Sequence, residues 1–319
     1  MQVRSMWKIG KIKRGNNFYP MKPVSFWRSR QATPFYFLLP TLIPLLLLTL
    51  YPFLNALWLS FTTYDSYNKD LSFKGLTNFS TLLTGDDLFW VAVRNTVAWT
   101  SGVMISTYVL GLITALVLNR PLRFRAFFRA IVLIPWVCPP VVAGRVWGWI
   151  YDANFSPLSF LLQQLGLIDH KIAWLADKNL ALPAAMGMAI WKLFPFMVVM
   201  LLAGLQAVPD ELYEASGIDG ANAWQQLRFI TIPLLNRVGI IALLFSSAWT
   251  FNQFDSVYAL TQGGPGNHTM LLSLMAYQAG FRYFQFAYAA AIGIIMLIIL
   301  AVPISIYVRR TLLSSEAAT

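Results

Sequence analysis

Six stretches of mostly apolar sequence dominate the chain, each about as long as the 20 residues a helix needs to cross a bilayer. They run over 35–58, 97–118, 127–150, 180–207, 238–258 and 287–308. One or two water-soluble cores built from 319 residues could not hide them all. The composition agrees: 57% of residues are hydrophobic and only 12% charged, about half the charge of a soluble domain. These figures exclude a disordered chain, a collagen-like chain and an ordinary soluble enzyme. The expected fold class is all-α, a polytopic membrane protein with six transmembrane helices. The third stretch is the least regular, because Pro135, Pro139 and Pro140 interrupt it. Proline is tolerated in a membrane helix when neighbouring groups satisfy the freed carbonyls.

The net charge of +11 would suggest nucleic acid in a soluble protein. Its distribution points to topology instead. Arg4, Lys8, Lys11, Lys13, Arg14, Lys22, Arg28 and Arg30 precede the first stretch, with no acidic residue among them. Arg120, Arg123, Arg125 and Arg129 follow the second stretch, Arg228 and Arg237 lie near the start of the fifth, and Arg309 and Arg310 end the sixth. These sites hold 16 of the 24 basic residues, all on the side the N-terminus occupies. Cytoplasmic loops concentrate Lys and Arg, so both termini are expected inside and nucleic acid is unnecessary. The expected organisation is a basic cytoplasmic tail over 1–32, a transmembrane domain over 33–310 and a short cytoplasmic tail over 311–319. The basic tail holds no apolar core segment of its own and does not read as a cleaved signal peptide. Trp and Tyr gather near the ends of the stretches, among them Tyr51, Trp58, Trp90, Trp99, Trp149 and Tyr151, as in an interfacial belt.

The segment 208–233 is the most patterned polar stretch. Pro209 ends the fourth span, and Asp210 is the expected N-cap of a short helix with Glu211 and Glu214 near its positive end. Gly217 and Gly220 can stop that helix. A second helix restarts at Ala223, with Trp224, Leu227 and Phe229 available for burial, and Pro233 opens the fifth span. The result is a helical elbow on the cytoplasmic face.

Glu214-Ala215-Ser216, Asp219-Gly220-Ala221, Phe229 and Ile232-Pro233 resemble the "EAA" loop of ABC importer permeases. Ser216 stands where the family pattern has alanine; both are small, so close helix packing survives. Further matches are Asn95-Thr96, Trp191-Lys192-Leu193-Phe194-Pro195-Phe196, Phe254-Asp255, Thr261-Gln262-Gly263-Gly264-Pro265 and Thr269. Together they resemble permeases of the carbohydrate-uptake group, similar to the larger maltose permease and to glycerol-phosphate permeases. A basic tail before a six-span core also resembles a permease of an alginate importer. The resemblance runs over nearly the whole chain and implies the type I ABC importer permease fold. It further implies a coupling role for Glu214, Ala215, Ser216, Asp219, Gly220 and Ala221 against a dimer of ATP-binding subunits. A second homologous permease, a solute-binding protein and a carbohydrate complete the implied partners, beside membrane lipid. ATP and Mg would sit on the partner ATPase, and this chain would bind no cofactor of its own. The implied mechanism is alternating access.

The motif matches place Lys192, Leu193 and Phe196 on one wall of the path, and Ser246, Trp249, Thr250 and Gln253 on the other. The spacing 246, 249, 250, 253 follows one helical face. That face mixes an aromatic ring with hydrogen-bonding groups, the combination a sugar needs; helix–helix packing would use the same polar residues. Lys192 and Arg145 are ionisable residues inside expected spans and call for a cavity or a partner. An acidic sugar, or a salt bridge from Lys192 to Asp255, would supply one.

Catalytic and metal-binding chemistry find little to work with. Cys138 is the single cysteine, and His170 and His268 are the two histidines, far apart in sequence. No phosphate-binding Gly-x-x-x-x-Gly-Lys-Ser/Thr pattern occurs, so ATP hydrolysis is assigned to another chain. An ion-coupled secondary sugar carrier is the alternative reading, and it would require titratable groups at mid-membrane.

Overall fold

A computed structural model of the chain describes residues 33–64 and 71–316. The expected basic tail over 1–32 lies outside the described residues, as do 317–319. The chain divides into two compact units, one up to Asn55 and one from Ala56 onward.

The first unit holds α1 (Thr33–Leu45), a π-helical stretch over Leu46–Leu50 and the start of α2 (Tyr51–Ser60). Leu45, Leu46, Leu47 and Leu48 are all exposed. An aqueous surface does not tolerate a continuous leucine face of this kind, but a bilayer solvates it.

The second unit opens with a small antiparallel hairpin, β1 (Thr62–Tyr64) and β2 (Leu71–Phe73), which pairs Thr62 with Phe73 and Thr63 with Ser72. The expected all-α class has no place for this hairpin, whose strands are three residues each. After α3 (Thr77–Ser80) and a π-helical stretch over Thr81–Gly85 comes α4 (Asp87–Asn119). It starts well before residue 97, because Asp86 Oδ1 caps it by accepting the amides of Leu88 at 2.9 Å and Phe89 at 3.4 Å. Arg94 is therefore helical.

The third apolar stretch is not one straight helix. It forms α5 (Arg125–Val137) and α6 (Pro140–Ile150), which meet at 95°. Pro139 and Pro140 cannot donate to the preceding turn, and they confine the bend to Cys138 and Pro139. Next come α7 (Pro157–Gln164), capped by Ser156 Oγ on the Ser159 amide at 2.9 Å, and α8 (Ala181–Gln206). Then follow α9 (Asp210–Ile218) and α10 (Ala223–Gln226), which passes through a π-helical stretch over Leu227–Thr231 into α11 (Ile232–Phe251). The fifth span therefore ends at Phe251, short of 258. Asn252 closes it with a side-chain bond to the Ala248 carbonyl at 2.9 Å. The remaining elements are α12 (Asp255–Leu260), α13 (Leu272–Tyr277), a π-helical stretch over Gln278–Arg282, and α14 (Phe286–Glu316). The last helix carries the expected C-terminal tail on to Glu316.

Among the described residues five helices are long and apolar enough to span a membrane: Leu38–Ser60, Asp87–Asn119, Ala181–Gln206, Ala223–Phe251 and Phe286–Ile306. The broken α5–α6 pair brings the number to six if it counts as one span. α8 is the most enclosed of them and packs most extensively on α4. A Cβ at Gly111 would come within 2.7 Å of Met197 Cγ, so the α4–α8 approach depends on that glycine. Trp99 and Tyr151, expected at an interfacial belt, are buried instead, whereas Tyr51, Trp58, Trp90 and Trp149 are exposed as a belt requires.

Candidate functional site

The elbow between α8 and α11 is built from backbone rules. Pro209, not Asp210, occupies the N-cap position; Asp210 is the first helical residue and shares the first turn of α9 with Glu211. Both carboxylates still face the positive end of the helix. At the other end the Ala221 amide reaches the Ser216 carbonyl at 2.9 Å and the Gly220 amide reaches the Gly217 carbonyl at 3.1 Å. That pair of bonds is a Schellman closure, which needs a left-handed residue, and Gly220 supplies it with φ of 80°. Gly217 lies inside α9 and does not stop it. Asn222 then starts α10 with a full capping box: its side chain accepts the Gln225 amide at 2.9 Å, and Gln225 accepts the Asn222 amide at 2.8 Å.

Side chains lock the two arms together. Tyr213 Oη lies 3.0 Å from Thr231 Oγ1, and Gln226 Nε2 donates to Ser216 Oγ at 3.0 Å and to the Tyr213 carbonyl at 3.3 Å. The hydroxyl that replaces the motif's alanine is thus a cross-arm acceptor and not merely a small group. Trp224 and Phe229, which the sequence makes available for burial, are 69% and 72% exposed, with Ile218 at 88%. Leu227 is half-buried. Glu214, Ala215, Asp219 and Gly220 are exposed as well. The elbow is therefore hydrogen-bonded internally and presents both large apolar groups and acidic groups outward.

The structure gathers three of the seven residues expected on the substrate path. Phe196 stands edge-on to Trp249, with ring centroids 6.4 Å apart, and lies 6.1 Å from Trp136. Trp249 and Trp136 are 52% and 39% exposed, so this row of three rings presents a surface. Lys192 is tied to the backbone that carries the first of these rings. Its Nζ donates to the Cys138 carbonyl and, at 3.5 Å, to the Trp136 carbonyl. It forms no salt bridge to Asp255, which sits exposed at the start of α12. The carbonyls freed by the α5–α6 break are a better match for an ammonium buried this deeply. Arg145 is exposed on α6.

The other expected path residues point elsewhere. Leu193 belongs to the apolar core, and Ser246 and Thr250 are buried. Gln253 lies beyond the end of α11, where its Nε2 donates to Ser256 Oγ at 2.8 Å. The helical spacing failed at 253 because the helix had already ended. Trp136 was missed; the signal available was an aromatic two residues ahead of Cys138-Pro139 at a predictable break.

A third feature explains motif residues that had no assigned task. Asn95 Nδ2 donates to the carbonyls of His268 and Met270, both at 3.1 Å, and of Asn267 at 3.4 Å. Thr96 Oγ1 accepts the Leu272 amide at 2.9 Å. Thr269 Oγ1 lies 2.7 Å from Thr261 Oγ1 and donates to the Gly264 carbonyl at 2.7 Å. Asn95-Thr96 and the 261–271 loop are one anchoring device.

A helical core of apolar spans with a capped, exposed elbow after its most buried helix defines a multi-pass membrane protein. The chain belongs to the family described as the binding-protein-dependent transport system inner membrane component, which it matches over residues 107–310. It is 33% identical over 287 residues to a probable ABC transporter permease protein of Brucella suis, covering 90% of this chain and 99% of that one. It is 36% identical over 240 residues to the trehalose/maltose transport system permease protein MalF of Thermococcus litoralis, covering 75% and 80%. A chain in the crystal structure of a bacterial alginate ABC transporter, in complex with alginate pentasaccharide-bound periplasmic protein, superposes with a TM-score of 0.74 at 21% identity, covering 87% and 93%. The observed fold is the expected type I importer permease fold.

Proposed function

We propose that this chain is one permease subunit of a binding-protein-dependent ABC importer for a carbohydrate. The elbow carries the reading: α9 is closed at Gly220 and locked to α10 through Ser216 and Gln226, so a push on it moves α8 and α11 as a body. Exposed Ile218, Trp224 and Phe229 suit a groove on an ATP-hydrolysing partner. Glu214, Ala215, Ser216, Asp219, Gly220 and Ala221 form the coupling element. ATP and Mg act on that partner, and a second permease completes the path. A solute-binding protein delivers sugar to the outward-facing state. The elbow and both termini are cytoplasmic, in keeping with the positive charge on that side.

The trehalose/maltose relative supports a sugar as cargo. So does the row of Trp136, Phe196 and Trp249, whose ring faces suit the C–H faces of a pyranose. Lys192 is engaged by backbone carbonyls and does not argue for an acidic sugar. Among the described residues no Asp or Glu is buried, which leaves the spans without a carboxylate relay for an ion-coupled carrier.

The test uses the assembled complex. ATP hydrolysis is measured against a panel of binding proteins loaded with neutral sugars, sugar acids and uronate oligomers. Stimulation by one loaded pair identifies the cargo. Purified chain that carries sugar alone on an ion gradient would overturn the proposal.

A further inference from the structure

A cavity of about 250 Å³ opens between α4, α5 and α8, at the end of α8 that leads into the elbow. Leu118, Val132, Leu133, Val198 and Leu202 give it apolar walls. One charged group enters it. Arg129 lines it, and its Nε and Nη2 are buried without a hydrogen-bond partner. A guanidinium stays charged at every accessible pH, and leaving two of its three nitrogens desolvated and unpaired is costly. No acidic residue of this chain lies between Asp87 and Asp152, so the sequence around Arg129 offers no carboxylate to neutralise it. The segment that leads from α4 into α5 adds charge of the same sign, with Arg120, Arg123 and Arg125 all exposed.

We propose that this cavity is a binding site for an anionic phospholipid, with the Arg129 guanidinium holding the phosphodiester and the aliphatic walls holding the start of an acyl chain. A planar fork of N–H donors matches a phosphate. A free hydrated phosphate gains nothing from leucine and valine walls, whereas a lipid uses both parts of the site. The depth fits: Leu118 and Gln206 lie in the last turns of α4 and α8, where a bilayer places its headgroups. A zwitterionic lipid carries its own ammonium, which a segment holding four arginines and no carboxylate repels; an anionic one does not. The site depends only on the chain's place in a membrane and not on its cargo.

The experiment places the assembled importer in phosphatidylcholine nanodiscs containing either a photoactivatable phosphatidylglycerol or a photoactivatable phosphatidylcholine, and reads cross-linked peptides by mass spectrometry. The phosphatidylglycerol probe should label peptides within 118–133 and 198–206, and the phosphatidylcholine probe should label them weakly. Arg129→Gln should lower the phosphatidylglycerol labelling about tenfold, and Arg129→Lys less, because it keeps the charge and loses the fork. Ala203→Trp, which fills the cavity from an exposed position without touching the charge, should abolish it; this variant decides the matter if Arg129→Gln does not assemble. Equal labelling by both probes, or labelling unchanged in the variants, overturns the proposal. Protection by millimolar glycerol phosphate would make it a free-anion site, and no labelling by either probe would make it a protein interface; both results also overturn it.

Discussion

Lys192 Nζ donates to the backbone carbonyl of Cys138 across 54 positions of sequence, at the residue where α5 ends and the chain turns through 95° into α6. The bond joins the most buried span to the broken one. It places a positive charge on the carbonyl end of α5, where both the helix dipole and the unpaired carbonyls favour it. Lys192→Met should leave those carbonyls without a donor and cost about 2 kcal/mol, within the range for a hydrogen bond to a charged group. Cys138 is the single cysteine, so it reports the break directly. Maleimide labelling of Cys138 in Lys192→Met should be several-fold faster than in the wild type. An unchanged rate would show that α5 and α6 hold their bend without Lys192.

Gly220 should be the least replaceable residue of the elbow. With φ at 80° it occupies a region that costs an L-residue about 1–2 kcal/mol, and more when the side chain is β-branched. No atom lies within 4 Å of the place its Cβ would take, so the penalty is conformational and not a clash. Gly220→Val should let the complex assemble but lower ATPase stimulation by the loaded binding protein at least about tenfold. Gly217→Ala, inside α9 with equally open space, serves as the control and should keep stimulation. Equal behaviour of the two variants would remove Gly220 from the coupling element.

The elbow was legible because its signals are local. Proline at 209, glycine at 220 and asparagine at 222 act within three residues of themselves, and the Asn222-x-x-Gln225 capping box could have been read as well. The broken span was only half legible. Three prolines marked the irregularity, but the group that stabilises the bend comes from Lys192, far away in sequence. The path face was the least legible. Periodicity carries no information about where a helix stops, and α11 stops at Phe251 because the Asn252 side chain folds back on the Ala248 carbonyl. Asn95 was visible as a motif residue, yet its partners are carbonyls near residue 270, which no pattern of side chains encodes.

Asn95 should behave as a structural anchor. Asn95→Leu removes the donor to three carbonyls while keeping a similar side-chain volume, and should destabilise the 261–271 loop by about 2–3 kcal/mol. Limited proteolysis should cut this loop faster in the variant, with the elbow peptides unaffected. Uniform loss of protection across the chain would instead indicate global unfolding.

Asp152 supplies a pH dependence outside the spans. Its Oδ1 accepts the amides of Phe155 and Asn154, both at 2.8 Å, and these bonds hold the carboxyl below its ordinary value, with Lys171 assisting. A depressed value means the turn is stabilised at all pH above the ordinary carboxylate pKa of about 3.9, and the stabilisation is lost as pH falls through the lower folded value. Amide protection at Asn154 and Phe155, corrected for intrinsic exchange, should be flat above that point and fall below it. In Asp152→Asn it should not change with pH.

Trp249 and Thr250 are neighbours in sequence with opposite surroundings, and together they test the wall. Trp249 is half exposed beside Phe196, whereas Thr250 is fully buried and its Oγ1 has no hydrogen-bond partner. Thr250→Val replaces an unsatisfied hydroxyl by a methyl of nearly the same size, so stability should hold or rise by up to about 1 kcal/mol with uptake unchanged. Trp249→Ala removes a ring face and should raise the sugar concentration for half-maximal uptake by roughly two- to tenfold, the equivalent of one aromatic contact. Direct uptake into proteoliposomes at a fixed, saturating amount of binding protein separates the two. If Thr250→Val impairs uptake and Trp249→Ala does not, the path runs along the buried face of α11 and the Trp136–Phe196–Trp249 row packs against another helix instead.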